Sequence, residues 1–250
     1  MSGHSKWHNI RLRKARVDAQ RGKIFTKLAR EIIMAAREGG GDPASNAKLR
    51  DAIEKARAAS MPQDNITRAI QRATGELAGV QYEEIVYEGY GAGGVAIMVQ
   101  ALTDNRNRTV SELRSIFTRH GGNLGEAGCV AWMFDPRGVI IVPRNEIEED
   151  SLLEIVLDAG AQDLKTDQRS YEVTTRPEDF ERVKSTLAED SIALESAEVT
   201  MVPQSTVTVA GKESEHILKL MEALEDRDDI QHVYANFDIP ESVMEQVAAA

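Results

Sequence analysis

Cysteine and long apolar runs are scarce in this sequence, and each absence excludes a class of protein. With a single cysteine, Cys129, the chain cannot build an internal disulfide framework or a Cys-rich zinc site. No apolar run approaches the roughly 20 residues that a membrane-spanning helix needs, so we expect no membrane partner. These absences are typical of proteins in a reducing compartment, and we expect a cytoplasmic location.

Groups that carry enzyme chemistry are also missing from the sequence. The glycine-rich segment GYGAGG at residues 89–94 lacks the Lys-Ser/Thr pair of a P-loop and precedes a strand pattern, so we predict a hairpin turn. His4 and His8 have the spacing of a metal-binding pair but no third ligand beside them. No acid, base and nucleophile cluster together along the chain. We therefore predict a protein that is not an enzyme and that needs no metal or other cofactor.

Charge, by contrast, is plentiful and unevenly distributed. The whole chain has a formal net charge of −11, yet residues 1–80 contain 16 Lys and Arg against 8 Asp and Glu. That leaves 14 basic and 33 acidic residues for 81–250. We call residues 1–80, with a net charge of +8, the head, and residues 81–250, with a net charge of −19, the body. Because phosphate binding depends largely on Lys and Arg, this segregation predicts a polyanion as the partner of the head.

The basic head contains a helical periodicity. From residue 23 to residue 37, apolar residues recur at the three-and-four spacing of one helix face. At about 100° per residue, Lys23, Lys27, Arg30 and Arg37 fall on the opposite side, which we expect to face solvent and contact phosphates. The alternative is a solvated charged face without a partner, which is what most charge runs are.

Residues 2–17 lack such a period and are predicted to form a mobile arm that orders on a partner. Trp7 lies among basic residues in this arm, and the sequence leaves open whether it stacks on a base or packs in a core. The candidate nucleic-acid-binding residues of the arm and the helix are Lys6, Trp7, His8, Arg11, Arg13, Lys14, Arg16, Arg21, Lys23, Lys27, Arg30 and Arg37.

The rest of the chain divides by its periodicity. Three short helices with alanine-rich seams are predicted to form a bundle over residues 1–79. Residues 137–202 follow the order βαββαβ of a ferredoxin-like domain, and βαβ patterns flank them, the first ending in a strand at residues 129–134. We therefore predict an α+β fold: an N-terminal three-helix domain is followed by two ferredoxin-like α/β domains, one inserted into the other. The split domain would comprise 80–136 plus 203–240, and the inserted domain 137–202.

A second polar cluster joins a strand to a helix at residues 103–108. Capping of the helix by Asp104 or Asn107 explains part of this cluster. The functional alternative is a secondary anion contact, because arginines and amides stand together at a helix N-terminus. Its residues are Asn105, Arg106 and Arg108.

Several long blocks, in fixed order, make the chain resemble the YebC/PmpR family. They are GHSKWHNI, GKIFTKLAREIIMAAREGGGDPASNAKLRDAI, MPQDNITRAI, YEGYGAGGVAIMV and LTDNRNRTVSELRSIFTRHGGNLGEAGCVAWMF. The resemblance implies a cytoplasmic protein of three domains, one helical and two α/β. It also implies a probable transcriptional regulator that binds DNA, although mitochondrial and some bacterial relatives are described as translation factors at the ribosome.

The sequence thus predicts a non-enzymatic, nucleic-acid-binding regulator of gene expression, with a DNA-binding transcriptional regulator as the first interpretation. In that case Arg68, Gln71 and Arg72 on the third predicted helix are candidates for reading bases. The alternative is a translational activator that binds ribosomal RNA, since a flexible basic arm with a tryptophan suits irregular RNA. In either case the acidic domains would provide contacts to the ribosome or to basic proteins.

Overall fold

The computed structural model describes residues 7, 18–78, 81–240 and 243, and it confirms the α+β class. The helices are, in chain order, α1 (Asp18–Gly39), α2 (Ala47–Ala58), α3 (Gln63–Thr74), α4 (Arg106–Arg119), α5 (Glu149–Asp158), α6 (Phe180–Glu189) and α7 (Lys212–Glu225). The strands are β1 (Glu83–Tyr90), β2 (Ala96–Thr103), β3 (Asn123–Leu124), β4 (Phe134–Pro143), β5 (Asp163–Thr166), β6 (Ser170–Thr175), β7 (Ser196–Pro203), β8 (Val207–Thr208), β9 (Ile230–Ala235) and β10 (Phe237–Asp238).

Helices α1, α2 and α3 form a small bundle around one buried apolar core. The apolar residues that enter this core recur at three-and-four spacing, so each helix contributes one continuous stripe. The buried side chain of Asn46 connects two of the helices. It caps α2 by accepting a hydrogen bond from the Leu49 N–H at 3.1 Å, and its Nδ2 donates to the Ala35 carbonyl of α1 at 2.8 Å. Asn46 thereby fixes the junction of α1 and α2.

The first sheet has the strand order β3-β1-β2-β9 with antiparallel pairs throughout. Helices α4 and α7 cover one face of it and share a buried cluster with its strands. Gly89 and Tyr90 of the segment GYGAGG end β1, and residues 91–95 connect it to its antiparallel partner β2, which confirms the predicted hairpin turn. Gly93 and Gly94 have φ of 68° and 76° there, a conformation that residues with a Cβ adopt at a cost.

The second sheet has the strand order β5-β6-β4-β7, again with antiparallel pairs. Its elements follow the chain order β4-α5-β5-β6-α6-β7, which confirms the ferredoxin-like pattern. Strands β4 and β7 pair from Phe134 opposite Pro203 to Ile141 opposite Ser196, so both extend across the predicted limits of the inserted domain. The division into 80–136 plus 203–240 and 137–202 stays a prediction.

The strand predicted at residues 129–134 is wrong. This segment contains a short 3-10 helix, Ala131–Met133, and the strand that follows α4 is the two-residue β3. The reason is the buried carboxylate of Glu88 in β1, which accepts hydrogen bonds from the backbone N–H groups of Gly128, Val130 and Ala131 at 2.6–2.7 Å. Backbone donors held by a carboxylate cannot pair with a neighbouring strand.

Candidate nucleic-acid interface

The basic face of α1 lies against an acidic turn formed by residues 225–229, at the end of α7. Lys27 Nζ donates to the Glu225 carbonyl at 2.7 Å, and Lys23 Nζ lies 3.2 Å from Asp226 Oδ2. Arg30 Nη1 donates to the Asp228 carbonyl at 2.6 Å. The prediction that this face is turned towards solvent is therefore wrong for its central residues. The acidic body supplies carbonyls and carboxylates that accept from these three basic side chains of α1.

Asp229 is the centre of this contact. Its Oδ1 accepts a hydrogen bond from Arg30 Nη1 at 2.7 Å, and its Oδ2 accepts from Arg108 Nη2 and from Thr109 Oγ1, both at 2.9 Å. Only 12% of the Arg30 side chain and 9% of the Asp229 side chain are exposed. Burial by itself would raise the pKa of Asp229, but hydrogen bonds from Arg108, Thr109 and Arg30 outweigh it and hold the pKa below its ordinary value. One carboxylate thus connects α1 to the start of α4.

The predicted secondary anion contact is largely occupied by the protein itself. A capping interaction is present, but the N-cap of α4 is Asn105, which accepts from the Arg108 N–H at 3.0 Å, and not the predicted Asp104 or Asn107. Arg108 bonds to Asp104 and Asp229, and these two hydrogen bonds raise its pKa further. Arg106 is exposed and forms no ion pair with a described carboxylate. A role of these residues in anion binding stays a prediction.

Trp7 packs in a core. It is fully buried and belongs to the same apolar cluster as Tyr87, Ile97 and Leu113 of the first sheet and α4. Its Nε1 has no hydrogen-bond partner among the described atoms. Of the two alternatives left open by the sequence, the structure therefore shows packing, because a base cannot stack on an indole that is 0% exposed.

The structure describes only some of the remaining candidate nucleic-acid-binding residues. Arg37 is half-buried in the last turn of α1 and has an interaction partner. Arg21 lies in the described backbone of α1. The residues that lie outside the described part of the chain are Lys6, His8, Arg11, Arg13, Lys14 and Arg16, together with His4 and the rest of the predicted arm.

Two arginines of α3 differ from those on α1. Arg68 and Arg72 are exposed, stand four residues apart on the same side of the helix, and form no ion pair with a described carboxylate. Both lie beside an open groove of about 290 Å³ between α1, α3 and the residues before β1. Together with Gln71, they are the residues of the third helix that the sequence indicated as candidates for reading bases, and that role stays a prediction.

Other kinds of site find little support among the described residues. The described residues contain no group of three His, Cys, Asp or Glu side chains placed to hold a metal ion. No helix in this part of the chain is long and apolar enough to cross a membrane. Burial and the nearby carboxylate of Glu88 raise the pKa of Cys129, so its sulfur is a thiol rather than a reactive thiolate.

Comparison with known proteins agrees with this architecture. Residues 5–76 match the model of the TACO1/YebC protein N-terminal domain, and residues 82–237 match that of the TACO1/YebC second and third domain. A protein of Natranaerobius thermophilus named probable transcriptional regulatory protein is 56% identical over 98% of this chain and 99% of its own length. A protein of Dictyoglomus turgidum with the same name is 55% identical over 99% of this chain and 100% of its own.

A solved structure shows the same fold. The crystal structure of a conserved hypothetical protein from Aquifex aeolicus superposes with a TM-score of 0.80 at 50% sequence identity, covering 90% of this chain and 93% of that one. Two of the proteins compared above are named probable transcriptional regulatory proteins, and both family models and full-length relatives lead to one conclusion: the chain belongs to the TACO1/YebC family.

Proposed function

We propose that this chain is a non-enzymatic regulator of gene expression that binds nucleic acid through its helical domain. The names of its relatives support a regulatory role. The observation that carries the binding role is the pair Arg68 and Arg72, which are exposed and free of described carboxylate partners in a segment of net charge +8. Two guanidinium groups one helical turn apart match the spacing at which a helix contacts a phosphate backbone.

Duplex DNA is the first candidate target, as the name of the relatives suggests. In that case α3 would approach the backbone with Arg68 and Arg72 and present Gln71 to the base edges. Ribosomal RNA is the second candidate, and the groove beside α3 favours it. An irregular RNA presents unpaired bases that can enter such a groove, whereas a duplex does not.

The acidic body has a separate role in this proposal. Residues 81–250 carry a balance of −19, which repels nucleic acid and favours contacts with basic proteins, including those of a ribosome. The body would therefore orient the protein while the head binds. We propose the cytoplasm as the place of action, because both candidate targets and a chain with a single cysteine agree with it.

Binding can be tested by fluorescence anisotropy with a labelled DNA duplex and a labelled ribosomal RNA fragment over a range of salt. The double variant Arg68→Gln/Arg72→Gln removes two phosphate contacts. It should reduce the slope of log K against log salt by about 1.8 for duplex DNA or about 1.4 for single strands.

The matched control is Arg114→Gln/Arg119→Gln, which makes the same charge change on exposed positions of α4. It should leave the slope nearly unchanged. If the wild-type chain binds neither probe at low salt, or if the α4 variant reduces the slope as much as the α3 variant does, the assignment of binding to the helical domain is refuted.

A further inference from the structure

The groove beside α3 has walls of three different kinds. Its lining includes the apolar side chains of Phe25, Ala29 and Ile33 of α1, which we call the apolar floor, and the aromatic ring of Tyr82. Asn65 contributes an amide, and the two free arginines of α3 lie along the rim. At about 290 Å³ the groove is at the lower limit of ligand sites in proteins, which fits one small planar group rather than a long ligand.

The aromatic side of the groove is held in place by the contact between head and body. The guanidinium carbon of Arg30 lies 5.2 Å from the centroid of the Tyr82 ring, in a cation–π arrangement. Arg30 is itself fixed by its hydrogen bonds to Asp229 and to the Leu102 carbonyl. Its Nε has no partner among the described atoms although it is buried, and Arg30 lines the groove. The same residue therefore fixes the Tyr82 ring and borders the groove.

We propose that the groove accepts one unpaired nucleobase of a single-stranded nucleic acid. The base lies between the Tyr82 side and the apolar floor, Asn65 bonds to its edge, and Arg68 and Arg72 bind the phosphates on either side. This inference rests on the proposed function, since it names the chemical class that the helical domain binds. It also makes single strands better ligands than duplexes, whose bases are stacked and paired.

The charge and the shape of the groove both favour this occupant. A purely apolar partner would gain nothing from two arginines at the rim, and an acidic peptide would not use a flat aromatic wall. A nucleotide uses both, because each base has a π-face and each linkage carries a phosphate. The groove is open, so the chain on either side of the bound base can continue along the rim without a break.

The experiment uses the full-length chain and a short oligonucleotide with 2-aminopurine at its centre, as RNA, as DNA and as the DNA duplex. Asn65→Leu fills the groove from an exposed position and removes the amide. Its matched control is Thr67→Leu, an exposed position of the same helix that does not line the groove. Tyr82→Leu removes the aromatic side, and Tyr82→Phe keeps it.

Binding should change the 2-aminopurine fluorescence of the single strands. Tyr82→Leu should weaken their binding by about 5- to 150-fold, the range measured when one aromatic partner of a base is removed. Asn65→Leu should weaken it as well, while Thr67→Leu and Tyr82→Phe bind as the wild type does. Thermal melts of each variant show that the fold is retained, and Asn65→Leu carries the test if Tyr82→Leu unfolds.

The outcomes separate the two proposals. If the wild type binds no nucleic acid, both the proposed function and the inference about the groove are wrong. A second outcome is that the wild type binds and Arg68→Gln/Arg72→Gln weakens binding, but Asn65→Leu and Tyr82→Leu do not. In that case only the groove inference is wrong. Duplex binding as tight as that of single strands would overturn it too. A preference between the RNA and DNA strands identifies the source of the base.

Discussion

The contact between Arg30 and Asp229 leads to a quantitative prediction about stability. Replacing Asp229 by alanine leaves the guanidinium of Arg30, whose side chain is only 12% exposed, without its carboxylate. Breaking a buried pair by removing one partner typically costs about 3–5 kcal/mol, because the remaining charge is not solvated. The ion pair of Asp229 with Arg108 adds little, since the Arg108 side chain is 42% exposed and therefore well screened. We expect Asp229→Ala to lower the free energy of unfolding by about 3–5 kcal/mol.

Urea denaturation followed by circular dichroism measures this loss. The matched control is Lys23→Ala, which breaks the pair with Asp226 in the same acidic turn. Both side chains of that pair are nearly half exposed, so its loss should cost less than about 1 kcal/mol. Adding Arg30→Ala to Asp229→Ala should cost less than Arg30→Ala does alone, because the arginine is already unpaired. An Asp229→Ala variant as stable as Lys23→Ala would refute the reasoning.

The pH dependence of stability gives a second check on the same residue. Because the pKa of Asp229 is lowered in the folded state, its contribution is complete above the ordinary value of 3.8. The contribution is lost as the pH falls below that value towards the folded-state pKa. The wild type should therefore lose stability more steeply below pH 3.8 than Asp229→Asn does, and parallel curves would contradict this.

Two further substitutions test buried contacts outside the interface. Trp7→Ala should lower the free energy of unfolding by about 3–5 kcal/mol, because the indole packs in the core. Trp7→Phe should lower it by much less, because it keeps an aromatic ring and removes the unpaired Nε1. Equal effects of the two variants in a urea titration would contradict the packing of Trp7. Glu88→Gln sets an amide N–H₂ against backbone donors and should cost about 1–3 kcal/mol, as measured by thermal unfolding. Burial alone would raise the pKa of Glu88, but the three backbone hydrogen bonds outweigh it and lower the pKa. The difference in unfolding free energy between the wild type and Glu88→Gln should therefore shrink as the pH falls below 4.5.

Local patterns predicted what depends on neighbouring residues. The glycines of GYGAGG permit positive φ wherever the chain packs, so the hairpin between β1 and β2 followed directly from them. The βαββαβ order of the second sheet followed in the same way from alternating periods. The presence of a cap at the start of α4 followed from its polar residues, but the cap is Asn105 and not Asp104 or Asn107, because the exact first turn of a helix is not set by composition alone.

The features that were predicted wrongly or left open depend on residues distant in the chain. The segment at 129–134 has the composition of a strand, but Glu88 takes its backbone donors from about 40 residues away. The charged face of α1 was visible, whereas the acidic turn that covers it lies about 198 positions further along. Trp7 stands alone in a polar stretch, and periodicity says nothing about a single residue.

The two basic surfaces of the head therefore differ in how easily phosphates can reach them. On α1, a phosphate must replace carboxylates and carbonyls that already accept the basic donors, and the largest part of that cost lies in the buried Arg30–Asp229 pair. On α3, Arg68 and Arg72 have no described carboxylate to give up. Lys23 lies between these cases, since its exposed pair with Asp226 costs little to exchange. A nucleic acid bound along α3, as proposed above, would therefore leave the Arg30–Asp229 pair intact, and the head would stay attached to the acidic body.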